Sequence, residues 1–360
     1  MSLNSDHWQP SGAATLVGSL PHRDRQRALD LVYEEISEVP VWPQLSAYPM
    51  EQMIEQFSEG LPGLVTREGR TFFHTSDSTF EQSVLEFYEE YLAVTAGELP
   101  LAESRFRLGQ EAARTMTLFL EQLPSRNLPM KAVKGQTVGP FTLLATLRTE
   151  ADRLALYESQ LRDVVVKTLA LKAQWQTEML KQFDLPPIVF IDEPALAGFG
   201  SSAFISVSAE EVIQLIHEVV QHIHQAGGLA GIHVCANTDW SLFFSGSLDV
   251  INFDAYTYFD RFSLYRSELS QFIKKGGFIA WGIVPTMEAE DIERESEGSL
   301  AIKWQEQIAG LISDELDLAT LFRHSLITPS CGCGSLNEAR AERVVRLTRK
   351  VSDKLRKELL

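Results

Sequence analysis

The chain alternates short apolar runs with longer amphipathic segments along most of its length. The recurring unit is an apolar run, then a cluster of Gly, Pro, Ser or Asn, then a segment with helical periodicity. Eight such runs span residues 13–20, 39–45, 130–136, 187–194, 229–236, 249–256, 278–285 and 325–332. Short apolar runs that are bounded by turn residues and separated by helices are typical of buried parallel strands.

Eight β-strand–helix repeats with right-handed connections favour one closed (β/α)₈ TIM barrel spanning residues 1–360. The helix signals agree with this prediction. The segment 208–228 begins with Ser208, a capping candidate, and ends in two glycines. Residues 340–360 form a closing helix with basic residues near its end. An open, doubly wound sheet is the alternative architecture.

Two stretches within residues 64–127 are additional to the eight repeats of a minimal barrel. Residues 64–73 predict a β-hairpin that turns at the sequence "REGR". Residues 77–127 are predicted to be a helical insertion before the third strand. We expect both to lie above the barrel, where they would shape a substrate lid or a surface for a partner.

Composition and charge exclude several classes of protein. The 360 residues are 44% hydrophobic and 22% charged, as in globular proteins with a sizeable core. The net charge of −17 argues against nucleic acid as a main partner, because phosphate binding needs a basic surface. No apolar run approaches the ~20 residues that span a membrane. The first residues lack the features of a signal peptide, so the cytoplasm is the expected location.

A histidine and two cysteines stand out as candidate metal ligands. His233 and Cys235 are two residues apart on a predicted strand, so their side chains point to the same side. Cys331 follows the eighth strand, and a barrel brings all strand ends to one rim. One His and two Cys suit Zn²⁺ and leave a fourth position available. The structural alternative is a core histidine beside a small buried cysteine.

Five motifs resemble the catalytic barrel of cobalamin-independent methionine synthase over essentially the whole chain. In order, they are "VGSLPH", "IDEPAL", "GIHVC", "DVINFDAY" and "TPSCG". The His-x-Cys and Pro-x-Cys-Gly elements also resemble corrinoid-dependent thiol methyltransferases with the uroporphyrinogen decarboxylase fold. Both resemblances imply a cytoplasmic zinc methyltransferase that binds a small-molecule thiol as a zinc thiolate and methylates it. The first implies homocysteine as the thiol and methionine as the product, and the second leaves open a corrinoid-dependent methyltransferase that acts on another thiol.

The resemblance assigns one Zn²⁺ per chain to His233, Cys235 and Cys331. It aligns Asp254 with the family's glutamate ligand, although aspartate is one methylene shorter. Asp254 is therefore expected to be a weak ligand, a neighbour of the ligands or a rim carboxylate. Cys333 has no counterpart in the family motif, and a free thiol is expected there.

The resemblance also implies a substrate pocket. Asp192 is expected to hold the substrate ammonium as the catalytic acidic residue. Ser19, with the backbone of Val17 and Gly18, is expected to hold the substrate carboxylate. Glu51 is the candidate for the family's second acid.

Other polar groups have weaker assignments. Glu193 points to the other side of its strand from Asp192 and is expected to make structural hydrogen bonds. His22, His74 and Trp281 lie near predicted rim positions, where contact with substrate is possible although a structural role is more common.

The methyl donor and two rival functions remain open at this point. Full-length members of the family carry an additional barrel that helps to bind folate. A methyl-corrinoid is therefore the expected donor, with a corrinoid carrier protein as a possible partner. The arginines of "LPHRDRQR" (residues 20–27) allow a porphyrin decarboxylase instead. A non-catalytic barrel that binds a corrinoid protein or a metal is the third reading.

Overall fold

The computed structural model describes residues 8–244 and 246–360. The strands are β1 (Ala13–Ala14), β2 (Ser19–Leu20), β3 (Gln44–Leu45), β4 (Leu64–Arg67), β5 (Arg70–Phe73), β6 (Val133–Val138), β7 (Pro187–Asp192), β8 (Leu229–Val234), β9 (Val250–Phe253), β10 (Phe278–Val284) and β11 (Ser325–Pro329). The helices are α1 (Arg25–Glu35), α2 (Met53–Ser58), α3 (Phe80–Thr95), α4 (Arg114–Gln122), α5 (Pro140–Thr146), α6 (Ser159–Leu180), α7 (Ala209–Gln225), α8 (Ser241–Phe244), α9 (Ala255–Phe262), α10 (Arg266–Lys274), α11 (Ala289–Arg294), α12 (Glu297–Ala309), α13 (Leu318–Arg323) and α14 (Glu338–Leu359).

The parallel sheet has the order β1-β11-β10-β9-β8-β7-β6, and the segment 39–45 closes it into a barrel. The backbone N–H of Lys134 donates to the carbonyl of Pro40 at 2.8 Å, and Trp42 donates to Lys134 in return. Further along, Ser19 and Leu20 pair with β3. All eight predicted apolar runs therefore supply barrel strands, and the predicted (β/α)₈ fold is confirmed.

Each barrel strand buries both faces, which is why the sequence shows near-continuous apolar runs. On β7, Ile188 and Phe190 belong to an apolar cluster inside the barrel. The alternating residues Val189 and Ile191 belong to the larger core between the strands and the outer helices. The period of two residues thus assigns each strand residue to one of two cores.

The barrel interior becomes polar towards the carboxyl ends of the strands. Apolar side chains fill the amino-terminal end, where Leu229 and Phe278 pack together with their neighbours. Higher up, Asn252 and Thr328 are fully buried polar residues. At the rim, Asp192 is paired in register with His233 on the adjacent strand. Buried polar groups need hydrogen-bond partners. The carboxyl end of the strands, which we call the mouth of the barrel, is also where barrel enzymes have their active sites.

The predicted hairpin is present. Strands β4 and β5 pair antiparallel and turn at Glu68 and Gly69. The end of the hairpin contacts the loop after α5, where the Phe73 N–H donates to the Arg148 carbonyl at 2.8 Å.

The predicted helical insertion is present and contacts the outer helices. Helix α4 packs against α1, where Tyr33 stacks on Phe119 with ring centroids 5.8 Å apart. Helix α3 packs against α6, and the Tyr88 hydroxyl donates to Asp163 at 2.6 Å. A role as a lid or a partner surface stays a prediction.

Within the described ranges, no helix combines the length and the apolar character that crossing a bilayer requires.

The buried Lys134 inside the barrel gives a prediction about pH. Its Nζ donates to the Val17 carbonyl at 2.7 Å and lies 4.0 Å from the centroid of the Phe190 ring. Burial lowers the pKa of Lys134 to about 7. An unfolded lysine has a pKa of about 10.4, so between these values the unfolded chain binds a proton that the folded chain does not. Wild-type stability should therefore rise with pH in this window.

We expect Lys134→Met to lose this rise, which amounts to at most about 1.4 kcal/mol per pH unit. Urea unfolding of both proteins at pH 7, 8, 9 and 10 measures it. The exposed Lys357→Met is the control and should follow the wild-type curve. Parallel curves for Lys134→Met and the wild type would show that Lys134 is charged in the fold throughout.

Candidate metal centre

Three ligand-type side chains converge at the carboxyl end of the barrel. His233 lies near the end of β8, Cys235 follows it by two residues, and Cys331 lies just after β11. The His233 nitrogen and the two sulfur atoms all lie within 4.8 Å of one another. The structure thus brings together the three residues that the sequence predicted as zinc ligands.

The orientation of His233 is set by Asn252 on the next strand. The Asn252 amide group donates to the Ala280 carbonyl and to Thr328 Oγ1, both at 2.8 Å. Its carbonyl oxygen must then accept, and it lies 2.6 Å from His233 Nδ1. The proton is therefore on Nδ1, which leaves the lone pair of Nε2 available. Such a partner fixes the tautomer of metal-binding histidines.

His233 Nε2 is buried and has no hydrogen-bond partner among the described residues. An unpaired buried nitrogen costs free energy unless a ligand satisfies it. A tetrahedral zinc ion with bonds of about 2.0–2.3 Å needs ligand atoms roughly 3.5–3.8 Å apart. The observed separations, all within 4.8 Å, exceed that spacing by at most about 1 Å. The residues therefore fit a zinc ion.

The two thiols influence each other. The hydrogen bond from Cys331, with help from His233, lowers the pKa of the Cys235 thiol well below its usual range. The bond to the Cys235 thiolate raises the pKa of Cys331. Burial would lower the pKa of His233, but Cys235 and Asp192 raise it overall. The same negative potential that retains a proton here attracts a cation, and metal binding releases such protons.

Asp254 and Cys333 are not part of this cluster. Asp254 is the N-cap of α9, and its Oδ1 accepts from the Thr257 N–H at 2.8 Å. Burial raises the pKa of Asp254 to about 6. Cys333 is buried in the core around the barrel, which raises the pKa of its thiol to about 12. The structure gives Asp254 a capping role and leaves Cys333 a free thiol, as expected.

Asp192 lies at the mouth beside His233. It is buried, and its Oδ1 has no partner in the part of the chain that is described. Burial raises the pKa of Asp192 to about 6, against the opposing effects of His233 and Lys134. An unpaired buried carboxylate oxygen can accept a hydrogen bond from a ligand. Among the residues predicted to hold substrate, Asp192 is the one whose side chain has this free capacity.

The neighbouring Glu193 has a structural role, as expected. Its two oxygens accept from the backbone N–H groups of Phe141 and Thr142 at 2.9 and 2.7 Å. The Thr142 hydroxyl donates to it at 2.6 Å. Glu193 therefore caps the first turn of α5 and does not face the mouth as a free acid.

The predicted carboxylate-binding segment is engaged within the protein. The Val17 carbonyl accepts from Lys134, and Ser19 Oγ accepts from the Gly334 N–H at 3.2 Å. Gly18 has φ of 146°, and a Cβ there would lie 2.4 Å from Gln136 Oε1. These contacts connect the first strand to its neighbours. The Ser19 hydroxyl accepts from Gly334 and can still donate, so its predicted contact with a substrate carboxylate stays a prediction.

Glu51 is a buried structural carboxylate. It pairs with Arg25 at 2.9 Å and accepts from Thr115 Oγ1 at 2.8 Å. Arg27 pairs with Glu342 at 2.9 Å. These partners remove Glu51 from the candidates for substrate binding. They also account for two of the arginines that had suggested porphyrin binding.

The remaining rim candidates lie beside other protein side chains. Trp281 is fully buried and its Nε1 donates to Ser325 Oγ at 2.9 Å. His74 lies 3.6 Å from Asp77 at the end of the hairpin. His22 is buried 3.8 Å from Glu342.

The sequence reasoning missed Asn252, Thr328 and Lys134. Asn252 occupies the inward position two residues before Asp254 on a strand that reads "VINF". A polar residue inside an apolar strand is a usable signal, because buried polar groups need partners. The identity of those partners required the barrel.

Comparisons with known proteins identify no family for the chain. No family model matches it, and no curated protein matches it. Two structures of the pneumococcal exo-β-D-N-acetylglucosaminidase StrH, which has tandem GH20 catalytic modules, are similar at 10% identity with TM-scores of 0.47 and 0.48. The alignments cover 96% and 97% of this chain, and 86% and 87% of those chains. The GH113 β-mannanase of Alicyclobacillus acidocaldarius has 9% identity and a TM-score of 0.39, over 68% of this chain and 77% of that one.

These comparisons contradict the assignment to the methionine synthase family. No family or curated match supports that assignment, and the similar solved structures are glycoside hydrolases. The predictions of zinc-dependent methyl transfer, methionine biosynthesis and a corrinoid donor were inferred from that family. They are therefore wrong as well. The likeness to glycosidases is too remote to transfer an activity.

The physical reason for the error lies in where the motifs occur. Glu193 caps α5, Asp254 caps α9, and Gly18 accommodates Gln136. These residues serve the turns at the ends of barrel strands, which many barrels share. Short motifs at such positions report local geometry more than they report ancestry.

Asn252 gives a testable prediction about the metal centre. Asn252→Leu should weaken zinc binding about 10–100-fold, because His233 loses the partner that fixes its tautomer. Competition with a chromophoric chelator measures the affinity. Thr328→Val removes one of the two groups that orient Asn252 and should have a smaller effect in the same direction. Unchanged zinc affinity in Asn252→Leu would exclude this role.

Proposed function

We propose that this chain binds one Zn²⁺ at the barrel mouth through His233 Nε2 and the sulfur atoms of Cys235 and Cys331. The observation that carries the proposal is the convergence of these three ligand atoms within 4.8 Å. The unpaired, buried Nε2 of a histidine whose other nitrogen is already fixed supports it independently. Two thiolates and an imidazole favour zinc over magnesium or calcium, which prefer oxygen ligands.

The ligand set leaves one position for a molecule from solution. Zinc sites take four ligands, and a site with three protein ligands and an open position is typical of catalytic zinc. Among the described residues, the cluster contains only three such groups, and the nearby Asp254 caps α9. A ligand in the fourth position would lie in the mouth beside Asp192.

A small-molecule thiol is the ligand that this site suits best. A zinc ion held here would deprotonate a coordinated thiol and keep it as a thiolate near neutral pH. The two protein thiolates already neutralise the ion and give it a soft ligand environment, which favours sulfur over water as the fourth ligand. The proposed function is therefore zinc-dependent binding and activation of a thiol. The proposal ends at the bound thiolate and includes no methyl transfer.

Asp192 supports a further feature of the thiol. Its carboxyl group is buried at the rim of the same mouth, and Oδ1 has no protein partner among the described residues. An ammonium group on the bound thiol would supply both a donor and the opposite charge. We therefore propose that the site prefers an amino thiol over an acidic one.

The same chemistry bears on the location and the partners of the protein. All three cysteines are free thiols in the structure, and two of them must remain reduced to bind zinc. A reducing compartment keeps them so, and we propose the cytoplasm. With a net charge of −17, the chain is not proposed to bind nucleic acid.

The first prediction from this proposal concerns metal content. Purified protein should contain about one zinc per chain, measured by elemental analysis. His233→Ala, Cys235→Ser and Cys331→Ser should each lose most of the metal while the barrel stays folded, because the ligands lie at the rim. Cys333→Ser is the matched control and should retain full zinc content. A zinc-free wild type after metal-replete purification would refute the proposal.

The second prediction concerns the charge of the thiol. In the cobalt-substituted protein, cysteamine should bind more tightly than 3-mercaptopropionate, as measured by changes in the cobalt absorption spectrum. Asp192→Asn should reduce this preference about tenfold or more, since a charged hydrogen bond is worth about 1.5–3 kcal/mol. Metal content should remain unchanged. An unaltered preference in Asp192→Asn would exclude Asp192 as the discriminating group.

A further inference from the structure

The loop that carries Cys331 is hydrogen-bonded to Ser19 on β2 and to Ser46, which follows β3. The Cys333 N–H donates to the Ser19 carbonyl at 2.9 Å. The Gly334 N–H donates to Ser19 Oγ at 3.2 Å. The Ser46 hydroxyl donates to the Gly334 carbonyl at 2.6 Å. We call Ser19, Ser46 and the loop 331–334 the serine clamp.

The contact at the centre of the clamp is close. A Cβ on Gly332 would lie 2.1 Å from Ser19 Oγ, and a Cβ on Gly334 would lie 3.1 Å from the same atom. No side chain at position 332 fits without moving Ser19. The backbone of the loop therefore has little freedom in how it passes over Ser19.

The residue before Cys331 is fixed as well. The Ser330 N–H donates to the Val284 carbonyl at 2.8 Å. Its hydroxyl lies 2.9 Å from Thr286 Oγ1. Cys331 is thus held between an attachment to the end of β10 and the serine clamp on the other side.

Such fixation matters because β11 and β8 are not neighbours. Strands β10 and β9 separate them in the sheet, so no backbone ladder sets the distance from Cys331 to His233 and Cys235. Cys331 can reach them only if its loop takes a defined path at the mouth. The serine clamp is the set of contacts that defines this path downstream of the ligand.

We propose that Ser19 and Ser46 are positioning residues for the metal ligand Cys331. This inference rests on the proposed zinc function and deepens it. It also gives Ser19 a role that does not depend on substrate binding, since its hydroxyl oxygen accepts from Gly334 and lies against Gly332. Removing the hydroxyl frees the loop and lets the Cys331 sulfur leave the position where it meets the other two ligands.

The test is cobalt binding to the full-length protein, since thiolate-to-cobalt charge-transfer absorption reports how many thiolates bind the ion. Ser19→Ala should weaken cobalt binding about 10–100-fold, as expected for a residue that supports a metal ligand. At saturation it should also lose about half of the charge-transfer intensity, because one of two thiolates leaves. Ser46→Ala should change both quantities in the same direction.

Ser352→Ala is the matched control. Ser352 is a buried serine whose hydroxyl, like that of the partly buried Ser46, donates to a backbone carbonyl, that of Gly12, outside the clamp. It should bind cobalt like the wild type, although it loses a comparable hydrogen bond. The circular dichroism spectrum and the thermal melt of each variant establish that it is folded, and Ser46→Ala decides if Ser19→Ala does not fold.

Two different outcomes separate this inference from the function on which it rests. Wild-type protein without a thiolate-to-cobalt band would overturn the metal centre and the clamp together. A normal wild-type band, with cobalt affinity in the folded serine variants within twofold of the wild-type value and undiminished charge-transfer intensity at saturation, would overturn the clamp alone.

Discussion

Closure of the sheet into a ring is the constraint on which the site depends. In a flat sheet, β8 and β11 would lie three strand spacings apart, or about 14 Å. The backbone bonds between Lys134 and the segment around Pro40 and Trp42 close the barrel and curl the sheet. Only then do the ends of β8 and β11 face each other across one mouth, with ligand atoms within 4.8 Å.

The closed ring also creates the polarity gradient of the interior. Its amino-terminal end is filled by apolar side chains, which stabilise the barrel by removing their surface from water. Its carboxyl end holds buried polar groups that are satisfied by one another, such as Asn252 with Thr328 and His233. His233 Nε2 and Asp192 Oδ1, which lie at the rim, are among the buried polar atoms of the described residues that have no hydrogen-bond partner. The apolar end therefore stabilises the barrel, and the polar end holds groups that are available to a ligand.

The residues around the proposed metal centre divide into the three that would bind the ion and those that hold these three in position. Asn252 fixes the ring of His233, and the serine clamp fixes the loop of Cys331. Both sets of contacts connect strands that are adjacent in space and distant in sequence. An open zinc position tolerates little disorder, because three ligand atoms must be held near tetrahedral spacing without help from a fourth protein group.

The sequence reasoning predicted the fold correctly, and it named three residues, His233, Cys235 and Cys331, that the structure brings together. His233, Cys235 and Cys331 were identified because strand periodicity and strand ends restrict where such side chains can point. Glu51 was assigned through a family pattern, and its real partners, Arg25 and Thr115, are 26 and 64 residues away in sequence. Ser19 likewise bonds to Gly334, which is 315 residues away. Local pattern carries no information about such partners.

The sequence by itself determined the eight barrel strands, the hairpin and the three converging ligands, because these follow from periodicity, turn residues and the rule that parallel strands end at one rim. The tertiary structure alone decided which polar residues remain available. Asp192 and Glu193 are adjacent and chemically alike, yet Glu193 is bonded by three donors at the start of α5 while Asp192 keeps a free oxygen. The reason is physical: a buried polar group is available to a ligand only when no neighbour satisfies it, and the neighbours are set by packing.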